Sequence, residues 1–472
     1  MYPEAIHSND GDGLPVAVIG SGPVGLAAAC HLLEREFTPL VVEAGDAVAA
    51  GMASWGHVRV FSPWRYNVDA AATRLLEGEG WSLPTPEDYP TGEELRRDYL
   101  IPLAETEALK DKIRLSARVI SVTRLRRDKM KNAGRDAAPF ELVIETKQGR
   151  ERLLARAVID ASGSMLSPNP LGASGIPAIG EEASATRIAY GIPNVFAHPR
   201  RYGGRTVLVV GSGHSAMNVL RDLVALKADQ PATQILWAVR RRSDLDLYGG
   251  GGADALPERG RLGSVVERLV GEGAIALTTG VEIDGLERSD DGVVVHHRDG
   301  RLGPVDEIIA ATGFRPELDS LRELRLALDS IVEAPTAIAP LIDPNFHSCG
   351  SVPPHGALEL AHPESDFYIA GMKSYGRAPT FLMLTGYEQV RSIAAALAGD
   401  LEAAARVELV LPETGVCKGP APGPDDAGNV ACCVDPPAVA GASGALLTKT
   451  PSGIKAESCC GATEPTETSC CG

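Results

Sequence analysis

The sequence predicts an α/β protein with two Rossmann-like dinucleotide-binding domains, the first interrupted by the second, and a disordered cysteine-rich tail at its C-terminal end. Three observations predict it: a glycine fingerprint at Gly20, another at Gly211, and a loss of large apolar residues from Leu411 onward. A chain of 472 residues that is 44% hydrophobic has room for several domains around sizeable cores.

The first fingerprint follows the apolar run Val16 to Ile19 and sets Gly20, Gly22 and Gly25, with Pro23 between them, before an Ala- and Leu-rich stretch. The second follows Val207 to Val210 and sets Gly211, Gly213 and Ala216 before a similar stretch, with Ser212 and Ser215 in the same turn. A strand that breaks at glycine and opens a helix is the context in which G-x-G-x-x-G binds a dinucleotide. One glycine allows the tight turn, one lets the backbone approach the pyrophosphate, and the third position lets helix and strand pack closely. Phosphate charge then meets free N–H groups and the positive end of the helix dipole.

The strand beyond each fingerprint separates the two nucleotides. The strand Pro39 to Val42 ends at Glu43, about twenty residues past the glycines, where a carboxylate accepts hydrogen bonds from ribose hydroxyls; this suits FAD or NAD. The strand beginning at Gln234 ends in Arg240, Arg241 and Arg242, whose guanidinium groups grip a 2′-phosphate that a carboxylate would repel. That predicts NADPH.

Between the fingerprints, Ile113 to Thr123 and Phe140 to Thr146 alternate as strands do, with a charged hairpin between them. They lead into Ala157 to Gly163, a segment echoed by Glu307 to Gly313. Each reads as a short buried strand that breaks at a small residue and a glycine, Gly163 in one and Thr312-Gly313 in the other. Such breaks bring backbone close to a cofactor or mark a crossing between domains. The second fingerprint lies between the echoes, so the predicted order is an FAD-binding part over 1–170, an NADPH-binding insert over 171–305, a return to the FAD domain over 306–410 and a tail over 411–472. The return closes with a strand from Asp366 to Gly371, whose glycine admits the flavin or its ribityl chain, and a helix from Leu384 to Leu397.

This arrangement resembles the flavin-dependent monooxygenase-like flavoproteins over residues 14–405, most specifically in Gly211 to Ala216 and Ala310 to Phe314. The resemblance implies that Gly20, Gly22, Gly25 and Glu43 hold FAD, and that Gly211, Ser212, Gly213 and Arg240 face NADPH. It also implies that Gly51 to Trp64, with Trp55 and Trp64, approach the isoalloxazine. The F-x-G-x-x-x-H signature that precedes the second fingerprint in that superfamily is missing; Tyr190, Gly191 and His198 stand in its vicinity. Disulfide reductases with the same cofactors need a redox cysteine pair near the flavin. No pair precedes Cys349, and Cys30, inside the first fingerprint helix, reads as a packed small hydrophobe.

The tail is rich in Pro, Gly, Ala, Ser and Thr and predicts disorder, yet it carries Cys417 and the adjacent pairs Cys432-Cys433, Cys459-Cys460 and Cys470-Cys471. Neighbouring Cα atoms lie about 3.8 Å apart, short of the roughly 4.4 to 6.8 Å of an ordinary disulfide. Two adjacent thiolates suit a soft ion such as trivalent arsenic, trivalent antimony, mercury or copper(I). Zinc sites space their cysteines more widely. Such tails resemble those on proteins of arsenic-resistance operons, whose members include flavoprotein monooxygenases.

In the turn-rich loop Phe346 to Gly356, Cys349 is placed to receive substrate from the tail, and His355 and His362 are candidate proton donors near neutral pH. Lys373 and Arg377 come after the last strand, where a cation stabilises negative charge on a reduced flavin. The expected activity is an NADPH- and FAD-dependent monooxygenase that uses molecular oxygen to convert a trivalent arsenical or antimonial, methylarsenite first, to the pentavalent form. Two alternatives stand beside it: an NADPH-dependent reductase of a tail-bound metal or disulfide, and a metalloid-binding chaperone or sensor on a flavin body. A net charge of −17 speaks against a nucleic-acid partner. The residues Met1 to Asp12 lack the pattern of a signal peptide, and no apolar run reaches bilayer length, so the expected location is cytoplasmic.

Overall fold

The computed structural model describes residues 13–243, 247–249, 251, 254, 256–345, 352–378 and 381–409. Two five-stranded parallel sheets and two three-stranded antiparallel sheets make up its frame. The first parallel sheet runs in the order Phe367–Ile369, Ala157–Asp160, Val16–Ile19, Pro39–Val42, Ile113–Arg114. The second runs Ala276–Thr278, Gln234–Ala238, Thr206–Val210, Glu307–Ala310, Ile188–Tyr190.

Alternation along the central strands builds three layers in each domain. Val16 and Val18 face a core shared with Leu26 and Leu32 of the helix Pro23–Glu34 and with Val390 and Ile393 of the helix Met383–Leu397. Their neighbours Ala17 and Ile19 face Phe140 and Leu142 of the antiparallel sheet. The second domain repeats the scheme: Val207 and Val209 pack on Leu220, Leu223 and Val266 of the helices His214–Asp229 and Pro257–Gly271, while Leu208 and Val210 pack on Val293, Val295 and Val305. Strands covered on both faces read as continuous apolar runs, and each fully buried Val or Leu contributes about 1.5–3 kcal/mol.

The two echoed segments occupy equivalent places in different sheets. Ala157–Asp160 pairs with Val16–Ile19, whereas Glu307–Ala310 pairs with Val207–Val210. The strand Glu307–Ala310 thus lies in the second sheet, and the chain next pairs with the first sheet at Phe367–Ile369. A strand of that apolar character belongs beside the strand it can pair with in register, and Thr206–Val210 supplies it. The crossings themselves run side by side. Asn169 N–H donates to the Gly313 carbonyl at 2.9 Å, the Thr312 hydroxyl donates to the Asn169 carbonyl at 2.6 Å, and Arg315 N–H donates to the Ser167 carbonyl at 3.0 Å.

A buried ion cluster ties the first antiparallel sheet to the rest of its domain. Glu364, just before the edge strand Phe367–Ile369, accepts from Arg124 Nε at 2.8 Å and from Arg135 Nη2 at 2.7 Å, and the Arg124 guanidinium lies 3.7 Å from the centre of the Phe140 ring. Among the described residues no helix is long and apolar enough to cross a membrane.

Candidate functional site

Both fingerprints stand at the C-terminal ends of parallel strands, the edge at which open α/β sheets bind ligands. Gly20 has φ +98°, and a Cβ there would lie 2.9 Å from the Ala161 carbonyl oxygen; at Gly25 a Cβ would meet the Gly20 carbonyl oxygen at 2.0 Å. Gly22 faces open space and caps the helix Pro23–Glu34 with no side chain over the first N–H groups. The second turn repeats this. Gly211 has φ +129°, with a virtual Cβ 2.2 Å from the Ala311 carbonyl oxygen, and Gly213 faces open space at the head of His214–Asp229. Backbone closes one side of each turn and no side chain caps the helix behind it, so a pyrophosphate fits both.

Glu43 is fixed beside the first turn. Its carboxylate accepts from Ser21 N–H at 2.8 Å, from the Ser21 hydroxyl at 2.7 Å and from Gly45 N–H at 2.8 Å. The Ser21 oxygen in turn accepts from Ala49 N–H at 3.0 Å. Two carboxylate oxygens offer about four acceptor positions, so room remains for a ribose hydroxyl. Ser21 is one of the variable positions of the fingerprint, and the motif gives no signal for its role. On the second domain Arg240, Arg241 and Arg242 are all exposed past the strand Gln234–Ala238. Arg240 donates to the Ala173 carbonyl at 3.2 Å, and Arg242 stands 3.7 Å from Asp299.

The two domains also meet through the loop expected at the isoalloxazine. Trp64 is buried in the first core at 4% exposure, and Trp55 packs on the same core against Gly92. Trp64 also forms a wall of a cleft of about 500 Å³ with Arg59, Asp88, Tyr89, Glu94 and Glu258, the last from the second domain. Phe61 reaches across to the second core, its ring 5.5 Å from that of His214.

The family described as pyridine nucleotide-disulphide oxidoreductase matches residues 17–337. The chain belongs to that family. It is an FAD-dependent oxidoreductase that uses NAD(P)H. The ferredoxin–NADP reductase of Salinispora tropica is 28% identical over 317 residues, 66% of this chain and 78% of that protein. The indole-3-pyruvate monooxygenase YUCCA1 of Oryza sativa is 29% identical over 211 residues, 44% of each. Among solved structures, FAD-bound DfoA, the cadaverine monooxygenase of desferrioxamine biosynthesis from Erwinia amylovora, matches with a TM-score of 0.57 at 13% identity, covering 86% of this chain and 99% of that one.

Within this oxidoreductase the expected catalytic groups each meet a partner in the fold. Lys373 is buried at 3% exposure and its ammonium lies 2.7 Å from the Asp160 carboxylate and 3.2 Å from the Ser162 hydroxyl. Asp160 ends the strand Ala157–Asp160, so its pair with Lys373 clamps two strand ends together. Arg377 is paired with Glu333 at 2.8 Å. His355 is buried, which lowers its pKa despite the Pro353 carbonyl. Its Nδ1 lies 3.0 Å from the Pro353 carbonyl and its Nε2 2.9 Å from the Gln389 amide, whose oxygen accepts from Gly371 N–H at 2.7 Å. That chain ties His355 to the turn at Gly371. His362 is held neutral by burial, its pKa lowered to about 4, and its Nδ1 accepts from Ala327 N–H.

Gly371 has φ +70° with Val24 against its virtual Cβ at 3.2 Å, and Gly163 has φ +72° facing open space. Both stand at strand ends of the first sheet, beside Gly20. Cys349 and the cysteines 417, 432, 433, 459, 460, 470 and 471 lie outside the described residues. Among the described residues Cys30 is the sole cysteine; burial, then the charges of Asp69 and Glu34, push its thiol up.

Proposed function

We propose that this oxidoreductase is an NADPH- and FAD-dependent monooxygenase that oxidises a trivalent arsenical or antimonial, methylarsenite first, to its pentavalent form. The observation that carries the reading is a flavin body whose one described thiol is buried and protonated, joined to a tail of paired cysteines. A disulfide route for the electrons requires an accessible thiolate of low pKa beside the flavin. Cys30 is the opposite of that. Paired thiols, by contrast, are matched to a soft trivalent ion.

The residues divide the work by position. N–H groups of Gly22, Val24 and Gly25 and of Ser212 to Ala216 hold the two pyrophosphates, and Glu43 orients the first ribose. Arg240 and Arg241 select the 2′-phosphate of NADPH over the bare hydroxyl of NADH. Gly163 and Gly371 leave the strand ends open to the cofactor, and the clamped Lys373–Asp160 pair and the His355–Gln389 tether keep that floor rigid. Bound flavin supplies the two-electron chemistry between nicotinamide and oxygen, which side chains cannot perform. In the balance, NADPH gives two electrons, one oxygen atom of O2 joins the arsenic lone pair, and the other leaves as water. Cys349 is proposed to receive the substrate from Cys417 and the paired tail cysteines.

The test is oxygen-dependent NADPH oxidation by FAD-loaded protein with methylarsenite, arsenite, antimonite and organic sulfides. The expected result is stimulation by a trivalent arsenical with pentavalent product; a flat response across the metalloids would sink the reading. The ferredoxin–NADP reductase relative favours a second reading, electron delivery to an acceptor other than oxygen. Turnover that persists without oxygen would select it.

A further inference from the structure

The two fingerprint turns correspond position by position: Gly20, Gly22 and Gly25 of the first stand where Gly211, Gly213 and Ala216 stand in the second. The leading glycine is anchored alike in both. Gly20 N–H donates to the Val42 carbonyl at 2.9 Å, and Gly211 N–H to the Ala238 carbonyl at 3.1 Å. The strands beside them keep the same register, with Val18 opposite Val41 and Val209 opposite Trp237. Glycine has therefore become alanine at the third fingerprint position, and valine has become tryptophan on the neighbouring strand.

The carbonyl of the leading glycine links the two differences. In the first turn the Gly20 carbonyl oxygen lies against the helix, 2.0 Å from where a Cβ on Gly25 would stand. Ala216 has that Cβ, so the Gly211 oxygen cannot take the same place. The backbone of the two glycines differs accordingly, with φ +129° at Gly211 against +98° at Gly20. Trp237 takes up the Gly211 oxygen, its indole N–H donating at 2.7 Å. The ring is wholly buried in the second core, 6.1 Å from that of Tyr248. Val41, its counterpart in the first sheet, has no donor to offer.

We propose that Trp237 is a positioning residue for the nicotinamide coenzyme: its indole N–H fixes the Gly211 carbonyl where Ala216 leaves room, and so sets the turn whose N–H groups meet the pyrophosphate. Being buried, it acts through the backbone. The proposal rests on the reading that the second turn holds that pyrophosphate. Without the indole N–H the turn has other arrangements open to it, and apparent affinity falls by the fraction of molecules left in the binding one.

The experiment is calorimetric titration with NADP+ of FAD-loaded full-length protein, as wild type, as Trp237→Phe, and with benzothienylalanine in place of Trp237. Benzothienylalanine keeps the fused ring and lacks the N–H, so it serves where the smaller phenylalanine ring leaves the core unstable. Each is made with and without Ala216→Gly. The expected result is about fivefold or more weaker NADP+ binding when the N–H is lost, at unchanged FAD content. Ala216→Gly gives the second turn the glycines of the first, and it is expected to bring binding back to within about twofold of wild type. Binding indifferent to the N–H overturns the proposal. A loss that Ala216→Gly does not relieve overturns it too, since it marks a defect of the core and not of the turn. Gly213→Val tests the reading beneath: Gly213 faces open space, so valine there obstructs a pyrophosphate without crowding the fold. NADP+ binding that survives Gly213→Val overturns that reading and the proposal with it, whatever the Trp237 variants do.

Discussion

Glu43 is a residue whose place is legible in both sequence and structure: its spacing from the fingerprint points to ribose, and Ser21 holds the carboxylate beside the first turn. A hydrogen bond to a charged group is worth about 1.5–3 kcal/mol. Glu43→Gln keeps the shape and removes the charge, so FAD retained per chain after dialysis is expected to fall, with Kd raised about tenfold or more. At the other nucleotide, Arg240→Ala with Arg241→Ala is expected to lower kcat/KM for NADPH by at least about tenfold and leave NADH nearly unchanged. Equal losses for both coenzymes would remove these arginines from the 2′-phosphate. Lys373 and His355 show the limit of reading single residues. Their types suggest charge stabilisation and proton transfer; Asp160 and Gln389, distant in sequence, are the partners they meet in the fold.

At the scale of elements, the first fingerprint helix is fastened to the helix Ala70–Gly78 by an ion pair out of water. Asp69 caps Ala72 N–H with one oxygen and meets His31 at 3.0 Å with the other. Burial works to lower the His31 pKa, but the charge and hydrogen bond of Asp69, aided by Glu34, raise it from 6.5 to about 9. A folded-state pKa above the unfolded one gives stability that is complete below pH 6.5 and is lost as pH rises through about 9. The loss is on the order of 3 kcal/mol, so the thermal midpoint of wild type should fall across that window more steeply than that of His31→Gln. The Glu364 cluster gives a prediction of another kind. Removing a partner from a buried ion pair strands the charges left behind, so Glu364→Ala should cost about 3–5 kcal/mol in denaturant unfolding. A cost under about 1 kcal/mol would mean that Arg124 and Arg135 find water instead.

At the scale of the whole molecule, two domains of like construction are joined by two adjacent crossings, and the C-terminal helix closes the first. Ser392 donates to the Ala404 carbonyl at 2.6 Å and Arg391 to the Ala403 carbonyl at 2.9 Å, so the fold holds its end through residue 405 and beyond. A chain ending at Leu409 keeps these bonds. It is expected to match full-length protein in melting temperature and FAD content while losing most of its affinity for trivalent arsenicals in a direct binding assay. Undiminished binding by the shortened chain would take the paired cysteines out of the proposed function.

The sequence by itself determined the two glycine turns and the strands and helices that flank them, because glycine conformation and strand alternation act over short stretches of chain. The placement of Glu307–Ala310 in the second sheet was decided by tertiary structure, since its apolar pattern suits either sheet and only pairing with Thr206–Val210 chooses. The same holds for Asp160 with Lys373, Gln389 with His355, and Phe61 against His214. Each is a contact between residues distant in the chain, and no local pattern of residues encodes the partner.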